Sequence, residues 1–487
     1  MRSLQRTLIG LLSISMLAGC AVGPDYHRPE APKSADYAPA PQADAASTGL
    51  DGGSEAQRLV KAMDIPGQWW TLFRSAPLDA LIDDALKHNA DVEAAHAALQ
   101  AAWENAYAER GAYFPTVSAG FNPTRQKNAS DVASAVSSNA NLYTLTTAQV
   151  SVSYAPDLWG GTRRQVESMV AQAHAQRFQL EATYLTLTSN LVNAAIEEAS
   201  LRAQIDVTQQ MIDVQTTVLN TLQRQQALGD VAAAAVAAQV VVLEQTRQTL
   251  PPLRKQLGQQ RDLIAALSGR MPDRPVDARF DLESLHLPDA LPLSLPAQLV
   301  EQRPDVRASE EQLHAASAAI GVALANRLPN VQIDASLGSA SEKTSSLFTS
   351  GTGLWSIGAN LTQPLFDGGS LKHKQRAAEA DYRQAAAQYR STVIAAAQNV
   401  ADVLQAIQAD AETLTAAERT EHAAMQSLQI ARKQQSLGDI SESTLLIAEL
   451  AWQQASLALI QAKAARFVDT AALFQALGGG WWNRKDA

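Results

Sequence analysis

The sequence predicts an α+β membrane protein that is built from two internal repeats. Two uninterrupted helical stretches of nearly equal length, 162–228 and 370–437, each follow a pair of short segments in which polar and apolar residues alternate. The flanking segments also match, with Pro156-Asp157-Leu158-Trp159-Gly160-Gly161 and Pro364-Leu365-Phe366-Asp367-Gly368-Gly369 before the stretches, and Leu228-Gly229-Asp230 and Leu437-Gly438-Asp439 after them. Because the two sets recur at almost the same offset, we interpret the chain as one plan that occurs twice.

Both long stretches have the residue pattern of coiled-coil helices. Neither contains Gly or Pro, and at about 1.5 Å per residue each would extend roughly 100 Å. Apolar residues recur at positions that belong to a 4,3 alternation. They include Leu180, Leu187, Leu191, Leu201, Ile205, Ile212 and Leu219 in the first stretch, and Val393, Val400, Leu404, Ile407 and Leu414 in the second. This spacing predicts two long helices that need helical partners along their sides.

The N-terminus has the pattern of a lipoprotein signal peptide. A positively charged start precedes an apolar segment that is too short to span a bilayer, and Leu17-Ala18-Gly19-Cys20 fits the bacterial lipoprotein processing box. We predict a signal peptide at 1–19 and a lipidated Cys20, with a diacylglycerol on its sulfur and a palmitoyl group on its nitrogen. The alternative is an unmodified cysteine that happens to follow a signal peptide. Ala21, rather than an aspartate, follows Cys20, which permits sorting to the outer membrane of a Gram-negative cell.

The composition argues against several classes of function. The chain has 487 residues, of which 46% are hydrophobic, but no apolar run reaches the length of about 20 residues that a membrane-spanning helix needs. The formal net charge of −10 argues against a nucleic-acid partner. The histidines are scattered, and neither a phosphate-binding glycine loop nor a Gly-x-Ser-x-Gly elbow occurs. We predict that the chain is not an enzyme and has no catalytic residue, metal site or cofactor.

The first repeat is predicted to span 67–270. Its elements are a helix at 77–114, strands near 116–122 and 148–155, the long helix at 162–228 and a return helix at 231–268 that Pro251 and Pro252 interrupt. The intervening 122–147 is rich in Asn, Ser and Ala, which predicts a long exposed loop. The preceding 20–66 is rich in Ala, Pro, Asp and Ser, and we predict a lipidated tether with little regular structure.

The second repeat is predicted to span 297–478 and to follow the same order. Its elements are a helix around 305–327, strands near 331–338 and 354–363, the long helix at 370–437 and a return helix at 441–477. A Pro-rich connector at 271–296 joins the repeats, and a tail at 479–487 ends the chain. Each shorter helix reaches about half of a long one, so we expect the tether, the connector and the tail to gather in an equatorial belt.

The four strands are amphipathic, which is typical of a membrane barrel with lipid outside and water inside. Four strands cannot close a barrel, since about eight is the smallest number found in membranes. An open edge inside lipid would leave backbone groups without hydrogen bonds. The sequence therefore predicts an oligomer.

Motifs along the whole chain carry a family resemblance. They are Cys20-Ala21-Val22-Gly23-Pro24-Asp25-Tyr26-His27-Arg28-Pro29, Trp69-Trp70 with Phe73 and Pro77-Leu78-Asp79-Ala80-Leu81-Ile82, Arg303-Pro304-Asp305-Val306-Arg307-Ala308, and Ala476-Leu477-Gly478-Gly479-Gly480-Trp481. Together they resemble the lipoprotein branch of the outer-membrane efflux duct family, the TolC-like proteins of tripartite resistance-nodulation-division type systems. The resemblance implies a homotrimer, whose twelve-stranded transmembrane β-barrel continues into a long α-helical coiled-coil barrel.

The same resemblance implies a function and partners. The chain would be the passive exit duct for drugs or other small molecules, driven by an inner-membrane efflux pump through a periplasmic adaptor, and it would contact outer-membrane lipid. Two alternatives stay open: a duct of the same fold for secreted proteins, and a soluble coiled-coil scaffold or adaptor. The scaffold does not account for four amphipathic strands, and the lipoprotein box favours small-molecule efflux.

The turns that end the long helices are candidate contact sites. Leu228, Gly229 and Asp230 end the first helix, and Leu437, Gly438 and Asp439 end the second. A glycine at this position is typical of a helix C-cap. By resemblance, six such turns in a trimer would surround the periplasmic mouth and contact the adaptor.

The residues after the second turn are candidates for the aperture. Family members typically have Asp-Ala-Gln-Arg there, and the Asp and Arg take part in charged contacts that hold the aperture shut. This chain has Ile447-Ala448-Glu449-Leu450 instead. We therefore predict closure by packing of Leu446, Ile447 and Leu450, with Glu449 either a solvated carboxylate or part of a gate.

Two further groups have competing interpretations. Arg163 and Arg164, which match Lys372, His373 and Lys374 across the repeat, either contact lipid headgroups or are solvated charges. Trp481 and Trp482 are better interpreted as anchors in the core of the belt than as ligand-stacking residues.

Overall fold

The computed structural model describes residues 21–32, 57–129, 131, 136, 138–294 and 296–484. Within these ranges the chain forms eight α-helices and six β-strands, besides short 3-10 turns. The helices are α1 (Ala76–His88), α2 (Ala90–Arg110), α3 (Gly161–Leu228), α4 (Ala233–Leu267), α5 (Pro296–Gln302), α6 (Pro304–Ala325), α7 (Ser370–Ser436) and α8 (Glu442–Ala476). The strands are β1 (Arg58–Lys61), β2 (Thr116–Lys127), β3 (Leu142–Tyr154), β4 (Ala290–Leu293), β5 (Asn330–Ser341) and β6 (Gly353–Thr362).

The two long helices are α3, with 68 residues, and α7, with 67. They differ by one residue at an end from the predicted 162–228 and 370–437. Of the helices in the described ranges, none combines the length and the apolar character that a membrane crossing would need.

The chain separates into two compact units. The first contains the described residues of Met1–Pro29, Ala98–Gln176 and Ser309–Tyr389. It includes the four strands β2, β3, β5 and β6. The second contains those of Glu30–Ala97, Arg177–Ala308 and Arg390–Ala487.

The sheet of the first unit has the strand order β2-β3-β5-β6, with every pair antiparallel. Residues that pair directly across strands share a face. One face carries the apolar rows Val117-Val152-Ala335-Ile357 and Ala119-Val150-Leu337-Trp355, and the other carries the serine row Ser118-Ser151-Ser336-Ser356. The apolar side chains are exposed in the single chain, among them Val117 (68%), Ile357 (71%) and Trp355 (74%). The sheet therefore has one apolar and one polar face, which is the pattern predicted from the alternation.

The loop predicted at 122–147 is wrong at both ends. β2 and β3 continue their pairing from Asn122 with Thr147 to Lys127 with Leu142. β5 likewise reaches Ser341, beyond the strand predicted near 331–338. Backbone pairing does not require apolar alternation, and the threonines at 144, 146 and 147 suit a pleated strand. Because these residues are mostly polar, the alternation of polar and apolar residues did not predict the ends of β2 and β3 that lie next to the loop between them.

The predicted helix at 77–114 is two helices, because Asn89 breaks it. Asn89 has extended backbone angles, and its side-chain oxygen accepts hydrogen bonds from the amides of Asp91 at 2.9 Å and Val92 at 3.1 Å. It is thus the N-cap of α2. Its side-chain nitrogen also donates to the carbonyl of Leu267 at 2.9 Å, which joins the break to the end of α4.

The interruption predicted at Pro251 and Pro252 is also wrong, since α4 continues through both. Proline removes a helical hydrogen bond and disfavours the preceding turn. Here buried residues hold the helix on either side, and Leu243 and Leu250 pack with Ile212 of α3. This packing outweighs the local cost of the prolines.

A small second sheet joins distant segments of the second unit. β1, inside the segment predicted as an unstructured tether, pairs in parallel with β4 in the connector. The indole nitrogen of Trp481 donates to the carbonyl of Gln302 at 2.7 Å, and that of Trp482 donates to Asp64 at 3.1 Å. The structure therefore brings tether, connector and tail together. The core of the same unit contains Trp69 and Phe474, whose rings stack with 5.4 Å between their centroids.

The two faces of the sheet should respond differently to charge. Ile357→Arg places a cation on the apolar face and should destabilise the folded state in the membrane by about 2–4 kcal/mol. Asn360→Arg, three residues along the same strand on the polar face near Asp334, should assemble normally. The measurement is the amount of folded oligomer in outer-membrane fractions. Equal amounts of both variants would show that the assignment of the faces is wrong.

Candidate functional sites

Each long helix ends in the same glycine turn. Gly229 has a φ of +85° and Gly438 one of +81°, in the left-handed region. In the first turn the amide of Asp230 donates to the carbonyl of Gln225 at 2.9 Å, and that of Gly229 to Gln226 at 3.0 Å. In the second turn Asp439 donates to Gln434 at 2.9 Å and Gly438 to Gln435 at 3.0 Å. These paired bonds satisfy the last carbonyls of the helix and form a Schellman cap.

The turns present exposed leucines. Leu228 is 79% exposed and Leu437 is 68% exposed. A Cβ added at Gly229 or Gly438 would meet no atom within 4 Å. Each turn therefore exposes an apolar side chain next to a glycine that has open space around it and an aspartate that follows it.

Behind the second turn, α7 and α8 pack around a small apolar core. It consists of Leu428, Ala431, Leu445 and Ala448, with Ile440 and Trp452 against it. The Trp452 indole nitrogen donates to Glu421 at 2.8 Å. The two helices are thus joined near the turn by both apolar and polar contacts within one chain.

Of the aperture candidates, the apolar ones point away from this core. Ile447 is 69% exposed, and Leu446 and Leu450 are partly exposed. In a single chain these side chains are available for contact with another helix. Their exposure is compatible with the predicted packing role.

The interpretation of Glu449 as a solvated carboxylate is wrong. Its side chain is 3% exposed, and one of its oxygens lies 3.4 Å from a guanidinium nitrogen of Arg432 on α7. A buried carboxylate needs such a partner, because an unpaired buried charge is costly. Arg432 was not predicted as the partner of Glu449, because it lies on the preceding helix and the sequence gives no signal that the two side chains pair.

Cys20 lies outside the described residues, but the residues that follow it lie in the first unit against the start of α3. The amide of Val22 donates to the carbonyl of Trp159 at 2.9 Å.

Arg164, interpreted above as a headgroup contact or a solvated charge, is neither. Its side chain is 7% exposed and pairs with Asp25 at 2.6 Å and Glu167 at 2.8 Å, whereas Arg163 is exposed.

Among the described residues no group of three or more His, Cys, Asp and Glu could hold a metal ion. The absence of a metal site, a cofactor and catalytic residues stays a prediction.

Comparison with known proteins identifies both repeats. The model of the outer membrane efflux protein family matches residues 81–270 and 295–479. The chain is 28% identical over 418 residues to the pyoverdine export outer membrane protein OpmQ of Pseudomonas aeruginosa, with 85% of this chain and 87% of that protein covered. It is 28% identical over 488 residues to the toluene efflux pump outer membrane protein TtgF of Pseudomonas putida, with 97% of each covered.

Solved structures agree. The outer-membrane channel OprN superposes with a TM-score of 0.82 at 26% identity, over 95% of this chain and 100% of that one. The outer membrane protein VceC of Vibrio cholerae superposes with a TM-score of 0.79 at 27% identity, over 86% of this chain and 100% of that one.

These matches confirm the predicted fold class, that of the TolC-like trimeric outer-membrane channels. The predicted family resemblance is also confirmed, since the family match covers both repeats. The chain belongs to the outer membrane efflux protein family, and it is the exit duct of an efflux system in the outer membrane of a Gram-negative cell.

Proposed function

We propose that this duct exports small organic molecules passively, as a homotrimer that works with a periplasmic adaptor and an inner-membrane pump. One observation carries the proposal: a four-stranded amphipathic sheet and two long helices with exposed glycine turns occur in one chain. Pyoverdine, toluene and antibiotics appear in the names of relatives. Since these cargoes differ, the names support a class of cargo rather than one compound.

The trimer is supported by the edges of the sheet. Among the described residues, β2 and β6 each pair with another strand on one side only. In lipid, a strand edge must pair, and three copies in which β6 meets the β2 of the next would close a barrel of twelve strands. Passage along such a duct needs no chemical step and therefore no catalytic residue.

The turns Leu228-Gly229-Asp230 and Leu437-Gly438-Asp439 are proposed to contact the adaptor. Their support is the matching cap geometry and the exposed leucines described above. A chain carries two different copies of the turn, so a trimer would present six sites of two kinds.

Loss of the gene should raise susceptibility to a panel of small organic toxic compounds, and the turns should be needed to restore resistance. Leu437→Asp should complement a deletion strain poorly because it removes an apolar contact, although its amount in the outer membrane should be normal. Met271→Asp is the matched control, since Met271 is an exposed apolar residue (71%) outside the turns. Minimal inhibitory concentrations measure the effect. Full resistance of the strain that carries Leu437→Asp would refute adaptor contact at this turn. The deletion strain tests the alternative function. If its susceptibility is unchanged and a secreted protein is trapped in its periplasm, the duct serves protein secretion instead.

Lipidation at Cys20 is proposed as the anchor of the mature chain. Its support is the fit of Leu17-Ala18-Gly19-Cys20 to the processing box, and several acyl chains on one residue give stable membrane attachment.

Mass spectrometry of the purified chain tests the anchor. The mature chain should begin at Cys20 and carry a diacylglycerol and an N-acyl group, and Cys20→Ser should lose both. Insertion of the Cys20→Ser chain should persist, because the apolar face of the sheet also contacts lipid. A mature chain that starts elsewhere, or an unmodified Cys20, would contradict the proposal.

The aperture is proposed to close by apolar packing of Leu446, Ile447 and Leu450 against neighbouring helices. Glu449 would instead hold α8 to α7 of its own chain through Arg432. The burial of Glu449, which is 3% exposed, supports this division, because salt screens a buried carboxylate less than an exposed one, although Arg432 itself is 50% exposed.

Single-channel recordings in a bilayer test the aperture. Open probability should change little between low and high ionic strength, because salt weakens exposed ion pairs and not apolar contacts. Ile447→Ala should increase open probability more than Glu449→Gln does. A larger increase with Glu449→Gln would mean that a charged contact holds the aperture shut.

A further inference from the structure

The segment Val22–Arg28 lies against α3 and α6 of the first unit, with the Asp25 side chain 81% exposed and that of Arg28 40% exposed. Gly23, with a φ of +103°, lies so close to Gly321 of α6 that a Cβ on Gly23 would be 2.5 Å from the Gly321 Cα. A Cβ on Gly321 would in turn be 2.8 Å from the carbonyl oxygen of Val22. Both positions therefore require glycine, since any side chain would separate the two backbones. The Val22 amide completes the contact through its bond to Trp159.

A buried cation recognises the next part of the segment. Arg164 of α3, 7% exposed, contacts Asp25 at 2.6 Å and also donates to the carbonyl of Val22 at 3.4 Å. Its hydrogen bond lowers the pKa of the Asp25 carboxyl below the usual value. Glu167 holds the same guanidinium from α3 at 2.8 Å. The segment thus supplies one of the two carboxylates around Arg164.

Helix α6, from the second repeat, binds the rest. The ring of Tyr26 stacks on His314 with 4.2 Å between centroids and an angle of 15°. His314 lies 3.0 Å from Glu167 and 3.5 Å from Glu311. These carboxylates, Glu311 foremost, raise its pKa despite its burial.

Arg28 ends the bound segment. Its guanidinium lies 2.9 Å from Glu310, whose side chain is 7% exposed. The segment therefore contacts both α3 of the first repeat and α6 of the second, and both helices present buried or half-buried charge to it. Although its own charged side chains stay accessible to solvent, it makes one glycine contact, one stacked ring contact and two ion pairs within seven residues.

We propose that Val22–Arg28 is an intramolecular clasp, and that the surface formed by α3 and α6 is a recognition site for the N-terminus of the mature chain. Recognition uses close glycine packing, the Asp25 carboxylate, the Tyr26 ring and the Arg28 cation. The clasp joins the two repeats beside the end of β3. The segment is thus part of the folded unit, where the sequence predicts a tether.

The clasp also determines where an anchor is held. Ala21 lies against Gly160, where an added Cβ would be 2.6 Å from the Ala21 Cα. The clasp therefore holds Ala21, the first described residue and the chain neighbour of the proposed anchor, beside the start of α3. The anchor rests on the proposed acylation, whereas the clasp does not.

Hydrogen exchange with mass spectrometry, on the full-length trimer in nanodiscs, tests the clasp. The amide of Val22 should exchange at least about tenfold more slowly than in the free peptide of residues 21–32. Gly321→Val should remove this protection because the two backbones can no longer approach. Gly258→Val is the matched control: Gly258 is also inside a helix, but a Cβ there meets no atom within 4 Å, so protection should match the wild type.

A second variant separates docking from folding of the helices. Asp25→Asn changes only the segment, and it should increase exchange at 21–32 while exchange in α3 and α6 stays that of the wild type. If Val22 exchanges as fast as in the free peptide, or if Gly321→Val leaves its protection unchanged, the clasp is refuted.

The Cys20→Ser chain, secreted with an ordinary signal peptide, separates the clasp from the anchor. Retained protection at 21–32 is expected, since α3 and α6 recognise the peptide itself. Loss of protection in this variant alone would overturn the proposal, because acyl chains rather than α3 and α6 would then hold the segment. If mass spectrometry finds no acyl group on the wild-type chain while protection is present, the anchor proposal fails and the clasp stands.

Discussion

The hydrogen bonds of the strand backbone are the constraint on which the rest of this structure depends. The bilayer core contains no water to replace a missing partner, yet the order β2-β3-β5-β6 leaves one edge of β2 and one of β6 unpaired within the described part of the chain. No side-chain substitution can correct this, because the unpaired groups belong to the main chain. The fold is therefore incomplete as a monomer, and the duplicated plan supplies the repeating unit of a closed structure.

The helices follow from a related requirement. α3 from Thr162 onward and the whole of α7 contain neither Gly nor Pro, so no residue there lacks an amide donor or favours a break, and each helix ends only where glycine adopts a left-handed conformation. Buried positions along α3 include many alanines, such as Ala171, Ala194 and Ala195. Small side chains allow helices to approach closely, and they leave the few buried charges, such as Glu449, to fix individual contacts. The uninterrupted backbone therefore gives the two helices their length, and a small number of polar pairs determines which residues of neighbouring helices contact each other.

Sequence reasoning identified the elements better than their contacts. The period of two located all four long strands, because one face of each is apolar, but it lost the part of β2 and β3 where threonine and asparagine occupy both faces. Asn89 was overlooked as a cap because 77–114 has a helical pattern on both sides of it. The pairing of Glu449 with Arg432, and the docking of Asp25 and Tyr26, join residues far apart in sequence. A single sequence contains no signal for such pairs.

The serine row on the polar face of the sheet has a consequence for what can pass. Ser118, Ser151, Ser336 and Ser356 lie side by side across four strands, and the hydroxyls of Ser336 and Ser356 are 2.8 Å apart. A hydroxyl both donates and accepts hydrogen bonds and carries no net charge. Repeated around a closed barrel, the serine row forms a collar of neutral hydroxyls. These hydroxyls can form hydrogen bonds with water and solutes, and at the serine row they favour neither positive nor negative charge. Cations, anions and neutral solutes meet the same collar there, so any discrimination among permeants by charge has to arise elsewhere along the path.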